Sequence, residues 1–200
     1  MDGSVRITSP LSLPEQRIDE FILSKQNWIM KQEELQKKRR EAMAKKSMEG
    51  PAIQLLGKSY TVVFKQGVKE GFELDKDCMI MTLKEKKNAQ QVFEKQAKLM
   101  LEEICAQKRI KLDQIMDDYR LAHPDISVKK MKGKWGSCTP AKAKIVMNFY
   151  LIHTPIKCIE YVLIHEYMHM IAPNHSKRFY ELVERVMPDY KIYRKLLKEE

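Results

Sequence analysis

Apolar residues recur along this chain with two different spacings, which predict where its helices and strands lie. Over residues 15–46 and 88–122 they recur every three or four positions, which indicates two long amphipathic helices. Residues 54–83 contain short apolar runs interrupted at Gly57, Gly67 and Gly71, which is typical of short strands joined by turns. The first half of the chain is therefore expected to be a helix, a group of strands and a second helix.

The second half is expected to contain two further strands and then helices. Apolar runs at 126–131 and 144–151 predict the strands. The strand at 144–151 should lie along a cleft in the protein surface, where an edge strand can pair with an extended peptide. Thr154 followed by Pro155 is typical of a helix start, so a helix is predicted over 155–171. Shorter helices should begin at Ser176 and Asp189. This order indicates an α+β protein with helices packed on a small sheet.

The length of the chain limits the number of domains. Two hundred residues, 44% of them hydrophobic, are enough for one domain or for one domain with an appendage. We expect an N-terminal lobe over residues 1–85 and a core over 86–200, unless residues 1–200 form one continuous domain.

Composition argues against a membrane protein and against a disulfide-rich secreted protein. No run of about 18 apolar residues is present, so no transmembrane helix is expected. The first residues contain no apolar secretory segment, and the four cysteines form no C-x-x-C pair. Free, reduced thiols in a cytoplasmic protein are the simplest interpretation.

The charge of the chain favours an anionic partner. It carries 37 basic and 27 acidic residues, a formal net charge of +10, which would suit a nucleotide, a nucleic acid or an acidic protein. One basic cluster, at 37–46, is typical of a solvated helix end. A second flanks Trp135 and could steer a substrate or serve solubility. Its members are Lys129, Lys130, Lys132, Lys134, Lys142 and Lys144.

One stretch carries the clearest chemistry. His165, Glu166 and His169 form an H-E-x-x-H pattern that follows an apolar run, so this helix should be buried. Residues four apart share one face of a helix, with Cβ atoms about 6 Å apart, so both imidazoles can bind one zinc ion. The glutamate can then act as general base on a water that the metal activates. Burying these polar groups is costly unless they are satisfied, which favours a metal-dependent hydrolase.

Catalytic zinc usually has three protein ligands, and His175 is the candidate for the third. In a continuous helix it would lie about 100° away from the face of the other two histidines. Pro173 and Asn174 favour a break in the helix, which would bring His175 back toward the metal. The rivals are the carboxylates of Glu181 and Glu184, which fit the solvated face of the next helix better. Zinc suits these imidazoles, although Mn²⁺, Co²⁺ or Ni²⁺ can use the same ligands.

Four segments of the C-terminal half match, in order and spacing, the motifs of a known protein family. They are K-W-G-S-C at 134–138, the apolar run at 144–151, the motif region at 161–180 and M-P-D-Y at 187–190. With weaker similarity at 18–22, 28–29 and 56–60, the chain resembles the YgjP-like metallopeptidases, relatives of the SprT-like and WLM zincins. The resemblance implies a zincin-like core that contains the H-E-x-x-H helix. It also implies one zinc ion bound by His165, His169 and His175, with Glu166 as the catalytic base.

The expected function is therefore zinc-dependent hydrolysis of a peptide or protein substrate. One alternative is a metal-dependent hydrolase of nucleotides or phosphoanhydrides, which the lysines around Trp135 would suit. Another is a nucleic-acid-associated protease of the SprT-like kind, although the chain contains no zinc finger or RNP motif. Asn148, Tyr150 and Tyr180 are candidate donors to the oxyanion of the transition state.

Several other residues are expected to have structural roles. Trp135 should pack under the site, with base stacking as the alternative, and Cys138 should pack rather than bind metal. His123 precedes a proline at a helix exit and His153 precedes Thr154-Pro155, so both are expected in loops or at the surface.

Overall fold

The computed structural model describes residues 49–199 and ten residues of a helical segment before them. These ten are Gln16, Arg17, Asp19, Phe21, Leu23, Ser24, Lys25, Gln26, Trp28 and Met30. Most of the predicted helix over 15–46 and the basic cluster at 37–46 lie outside the described residues. The chain divides into two compact units, Met1–Gly50 and Pro51–Glu200. The expected functional division near residue 85 stays a prediction.

Four strands form the first sheet. They are β1 (Glu49–Leu55), β2 (Lys58–Gln66), β3 (Gly71–Asp75) and β4 (Cys78–Leu83), in the order β1-β2-β4-β3. β2 and β4 run parallel, whereas β3 and β4 run antiparallel. Met79, Met81 and Leu83 alternate with more exposed residues in β4, so one face of the sheet contributes to the core. The prediction of short strands over 54–83 is confirmed.

A long helix follows, α1 (Ala89–Asp118), which packs on β3 and on the helix that carries the H-E-x-x-H pattern. Phe93, Ala97, Leu101 and Cys105 are buried at intervals of four residues, which places them on one face of the helix. The prediction extended this helix to residue 122. It ends earlier because the backbone of Arg120 adopts a left-handed conformation with φ of +55°.

A second, three-stranded sheet lies next to the motif helix. Its strands are β5 (Asp125–Lys129), β6 (Gly136–Thr139) and β7 (Lys144–Asn148), in the order β5-β7-β6. The expectation that the apolar strand at 144–151 is an edge strand was wrong: β7 pairs with β5 on one side and with β6 on the other. The strand also ends at Asn148, where the chain turns into a short 3-10 helix, Phe149–His153.

Three helices complete the described chain. α2 (Ile156–Met168) contains the H-E-x-x-H pattern and packs on α1, β6 and β7. α3 (Lys177–Val186) and α4 (Tyr190–Glu199) also pack against α2. The order of strands and helices confirms the α+β class. Within the described residues, no helix combines the length and the apolar character that a membrane span requires.

The turn between β1 and β2 contacts the segment just before the N-terminus of α2. The amide of Leu56 donates to the carbonyl of Ile152 at 2.7 Å, and Gly57 follows with φ of +79°. A Cβ atom at Gly57 would lie 2.8 Å from Pro155 Cγ, so only glycine fits this turn. The first sheet therefore contacts the segment from which the motif helix begins.

Candidate active site

The motif helix is held in place by a polar contact with α1. The hydroxyl of Tyr167 donates to Asp113 Oδ1 at 2.8 Å, and Arg109 Nε donates to Asp113 Oδ2 at the same distance. Arg109 also donates to the carbonyl of Pro124. Burial, followed by the bond to Asp113, raises the pKa of the Tyr167 phenol, so the hydroxyl stays a donor. Tyr167, one of the two unspecified positions of H-E-x-x-H, thus fixes the rotation of α2 against α1.

Three imidazole rings converge at the end of α2. His165 Nε2 lies 3.2 Å from His169 Nε2 and 2.9 Å from His175 Nε2, and one donor atom from each ring lies within 4.8 Å of the others. Tetrahedral zinc with Zn–N bonds of 2.0–2.1 Å would place ligand nitrogens about 3.3 Å apart. The structure therefore brings together the three histidines that the sequence singled out, at separations that suit one metal ion.

The hydrogen bonding of His169 leaves its Nε2 available as a ligand. Its Nδ1 lies 3.3 Å from the carbonyl of Ala172, which can only accept, so Nδ1 carries the proton and Nε2 carries the lone pair. Burial, reinforced by His169 and His175, lowers the pKa of His165 to about 3. Burial also lowers the pKa of His169. Both of these partly buried rings are therefore neutral near pH 7, as metal ligands must be.

The packing of Phe179 fixes the orientation of all three rings. Its ring centroid lies 4.8 Å from that of His165, 4.6 Å from His169 and 4.9 Å from His175. Nδ1 of His165 is buried without a hydrogen-bond partner among the described atoms, so packing rather than a hydrogen bond orients this ring. Phe179 is held because Ser176 caps α3 by accepting from its amide at 3.4 Å.

The helix α2 ends earlier than expected, and the turn that follows brings His175 back toward His165 and His169. α2 was predicted to reach residue 171, but its last helical residue is Met168. The amide of Ala172 still donates to the carbonyl of Met168 at 2.9 Å, which tightens the turn before Pro173. His175 then lies on an exposed loop, with its ring stacked 6.1 Å from Tyr180.

Glu166 is buried beside the histidines. The residue is 6% exposed, and burial raises the pKa of its carboxyl from 4.5 to about 7, an effect that Lys134 partly opposes. A carboxyl that titrates near neutral pH can both take up and release a proton there, as a general base must. Together with the three histidines, Glu166 lines a cavity of about 340 Å³, here called the histidine cavity.

The edge strand β6 forms the opposite wall of the histidine cavity. Gly136, Ser137 and Cys138 line the cavity. A Cβ atom at Gly136 would lie 2.5 Å from Glu166 Oε1, so the absence of a side chain lets the carboxyl approach the strand. β6 pairs with β7 on one side alone within the described residues, so its other edge has no strand partner there. The unpaired strand edge that was expected at 144–151 is thus found at β6.

Several residues considered for the site lie elsewhere or have another role. Glu181 and Glu184 are exposed, pair with Lys177 and Lys191 respectively, and do not line the histidine cavity. Tyr150 is 45% exposed and lines a separate apolar cavity.

Asn148, one of the candidate oxyanion donors, has its side chain fully engaged. Its amide nitrogen donates to the carbonyls of Met131 and Lys134, at 3.0 and 2.8 Å. Its oxygen accepts from the amides of Met131 and Tyr150, both at 3.2 Å. Asn148 therefore orders the loop before β6, and no hydrogen-bonding group of its side chain is left for a substrate.

The remaining sequence candidates have structural contacts. Trp135 donates from Nε1 to the carbonyl of Leu197 at 3.0 Å, so it packs beside the site as expected. Cys138 lines the histidine cavity, and burial raises the pKa of its thiol to about 11. His123 pairs with Asp117 at 2.7 Å, and His153 lies 2.7 Å from the carbonyl of Gln54.

The basic cluster around Trp135 is divided by the fold. Lys130 pairs with Glu94 at 2.7 Å, on the side of α1. Lys134 instead lines a second cavity that adjoins Glu166. Sequence reasoning missed the partners of these residues because none lies nearby in the chain. The sequence also predicted no strand at 136–139, so it gave no sign that Gly136 would lie inside β6 against Glu166.

Comparison with known proteins found a matching family model and similar solved structures. The family model described as the YgjP-like metallopeptidase domain matches residues 1–200. The metallopeptidase zymogen abylysin of Pyrococcus abyssi is similar in structure with a TM-score of 0.40 and 19% identity, over 48% of this chain and 90% of that chain. The metallopeptidase zymogen jannalysin of Methanocaldococcus jannaschii gives a TM-score of 0.40 and 18% identity, over 50% and 95%. No curated protein matches the chain.

Proposed function

Because this chain belongs to the YgjP-like metallopeptidase family, we propose that it cleaves peptide bonds with one zinc ion held by His165, His169 and His175 and with Glu166 as general base. The observation that carries the proposal is the convergence of three imidazole nitrogens beside a buried carboxyl in one cavity. Three imidazole nitrogen donors suit zinc, and they leave a fourth position for water or substrate.

The chemistry of the proposal divides between the metal and the chain. When bound, zinc supplies Lewis-acid chemistry, lowering the pKa of a water molecule and polarising a carbonyl oxygen. The carboxylate of Glu166 takes the proton of the attacking water at one oxygen and delivers it to the amine that leaves. Its burial against Gly136 excludes bulk water from the carboxyl and holds it toward the cavity. The open edge of β6 would hold the substrate backbone in an extended conformation.

The proposal predicts separate effects for ligand and base variants. Protein purified without a histidine tag should contain about one zinc per chain by mass spectrometry, and His175→Ala should lose most of it. Glu166→Gln should keep the metal and lose hydrolysis of casein or of a peptide mixture. Absence of metal in wild type, even after incubation with Zn²⁺, would refute the assignment.

The same experiment tests the alternative substrates. Phosphate release from nucleoside triphosphates that Glu166→Gln abolishes, without peptide cleavage by wild type, would favour a nucleotide hydrolase. Steeply salt-dependent binding to nucleic acid would favour a nucleic-acid-associated protease. The peptidase proposal requires instead that peptide turnover disappears in Glu166→Gln while metal content stays unchanged.

A further inference from the structure

A second cavity meets the histidine cavity at Glu166. It encloses about 270 Å³ and shares Gly136, His165 and Glu166 with the histidine cavity. Its other walls come from the loop before β6, from α2 and from α4. They are formed by Lys134, Trp135, Tyr161, Val162, Arg194, Leu197 and Lys198. We call it the basic cavity. A peptide that lies along β6 with its scissile bond at Glu166 would extend toward this space.

The basic cavity is strongly cationic. Lys134, Arg194 and Lys198 line it, and its single lining carboxyl is Glu166, which belongs to the proposed catalytic machinery. None of the three cations pairs with a carboxylate among the described side chains. By contrast, Lys191 on the same helix as Arg194 is paired with an acidic residue. The cavity therefore carries an excess of positive charge, since three cations line it beside the single carboxyl of Glu166.

Arg194 is held in position by a row of aromatic rings. Its guanidinium carbon lies 5.0 Å from the ring centroid of Tyr180, a cation–π contact. The ring of Tyr180 stacks on Tyr190 at 5.9 Å, and Tyr190 stacks on Tyr161 at 6.2 Å. A guanidinium fixed in this way loses little conformational freedom when it binds a carboxylate, which its planar donors can hold through two hydrogen bonds.

One hydrogen bond links the two walls that carry the cations. Trp135 Nε1 donates to the carbonyl of Leu197 at 3.0 Å, which connects the loop of Lys134 to the helix of Arg194 and Lys198. Gly136, the next residue, is the first residue of β6 and lies against Glu166. The position of the cations is thus fixed relative to the bond that Glu166 would help to cleave.

We propose that the basic cavity is a substrate subsite that binds a carboxylate adjacent to the cleaved bond, with Arg194 as its main specificity-determining residue. The carboxylate is either an acidic side chain or the C-terminal carboxylate of the peptide. This inference rests on the proposed peptidase function and adds a preference to it. A peptide is favoured over a nucleotide as the anion because the open edge of β6 beside the cavity can pair with an extended backbone.

The test is a cleavage profile followed by matched substrates. Zinc-loaded wild type, Arg194→Met, Arg194→Lys and Arg185→Met would be incubated with a proteome-derived peptide library, and cleaved bonds identified by mass spectrometry. Arg185 is the control because it is an exposed arginine on α3 that lines neither cavity. A cleaved sequence would then be synthesised with Glu or Gln beside the bond, and with a free or amidated C-terminus.

The expected result is a specific loss. Arg194→Met should raise KM for the carboxylate-bearing peptide about 10- to 100-fold, the range expected for losing hydrogen bonds to a charged group, with kcat and the amide-bearing peptide little changed. Arg194→Lys should retain part of the preference, and Arg185→Met should behave as wild type. The peptide pair with Glu or Gln and the peptide pair with a free or amidated C-terminus show which carboxylate the subsite binds. Binding of the same peptides to zinc-loaded Glu166→Gln, with and without Arg194→Met, should show the same difference without turnover.

Four outcomes would overturn the proposal. Equal losses for carboxylate and amide peptides in Arg194→Met, in protein whose melting temperature is unchanged, would assign Arg194 a structural role. Equal effects of Arg185→Met would show that net charge rather than the basic cavity matters. Cleavage of peptides by wild type without any preference for carboxylates would refute the subsite and leave the peptidase function intact, whereas no cleavage of any peptide would refute both.

Discussion

The close approach of Gly136 to Glu166 gives a sharp test of the proposed base. In Gly136→Ala the new Cβ would lie 2.5 Å from Glu166 Oε1 and 2.8 Å from Cγ, whereas ordinary contacts begin near 3.4 Å. Since the Cβ belongs to a paired strand, the carboxyl has to move, by roughly 0.9 Å if it moves alone. A displacement of about 1 Å can lower the rate about 100-fold, equivalent to about 2.7 kcal/mol in activation free energy.

The assay has to separate misplacement of Glu166 from loss of metal or fold. Peptide turnover, zinc per chain and the melting temperature would be measured for Gly136→Ala and for Gly133→Ala. At Gly133 a Cβ meets nothing within 4 Å, but φ is +73°, so this control costs stability without touching the site. We expect Gly136→Ala to keep its zinc while its kcat falls about 100-fold, and Gly133→Ala to keep its kcat.

A double-mutant cycle completes the test. If Gly136→Ala acts only through the carboxyl, its effect should disappear when Glu166→Gln is already present, so the double variant should be no slower than Glu166→Gln alone. Turnover of Gly136→Ala within a few-fold of wild type, or additive losses in the cycle, would refute the reasoning.

Three further predictions concern stability. With metal removed by a chelator, the free energy of unfolding of wild type should fall by about 2–3 kcal/mol between pH 5 and pH 8, relative to that of Glu166→Gln. The reason is the raised pKa of Glu166: its stabilising contribution is complete below pH 4.5 and is lost as the pH rises through about 7. Parallel urea-unfolding curves at the two pH values would contradict this. Zinc at about 1,000 times its Kd should stabilise wild type by about 4 kcal/mol, measured as a rise in melting temperature that His175→Ala abolishes; an equal rise in that variant would remove His175 from the ligand set. Tyr167→Phe should lower the free energy of unfolding by about 1–2 kcal/mol by removing the bond to Asp113, and an unchanged urea midpoint would show that packing alone holds the helix.

Local patterns predicted much of the fold. Thr154 does not cap α2 as predicted, because α2 begins after Pro155 and the hydroxyl of Thr154 donates to the carbonyl of Leu151. The helix of the H-E-x-x-H pattern and the helix beginning after Ser176, however, lie where sequence spacing placed them, within a few residues. Such elements depend on periodicity and on capping residues that lie next to each other in the chain. The C-terminal bounds were less accurate, because turns such as the one at Arg120 depend on backbone conformation rather than on periodicity.

Strand pairing was the part that sequence could not supply. The run at 144–151 reads as a strand in isolation, but nothing in it shows that β7 is paired on both sides and that the glycine-containing β6 forms the open edge. Which strands become neighbours is decided by packing among distant segments. The same holds for Asn148, whose side chain could be read as a catalytic donor until its four partners in the preceding loop and the following turn were seen.

By itself the sequence determined the chemistry of the site: two histidines on one helical face, because a helix fixes the separation of residues four apart, and a glutamate directly after the first of them. It also predicted the return of His175, because proline interrupts a helix. The tertiary structure decided what surrounds that chemistry. Tyr167 donates to Asp113, Glu166 packs against Gly136 of β6, and Arg194 lines the basic cavity together with Lys134. In each case packing brings together residues between 30 and 60 positions apart. Contacts across such distances follow from the whole fold and leave no local pattern in the chain.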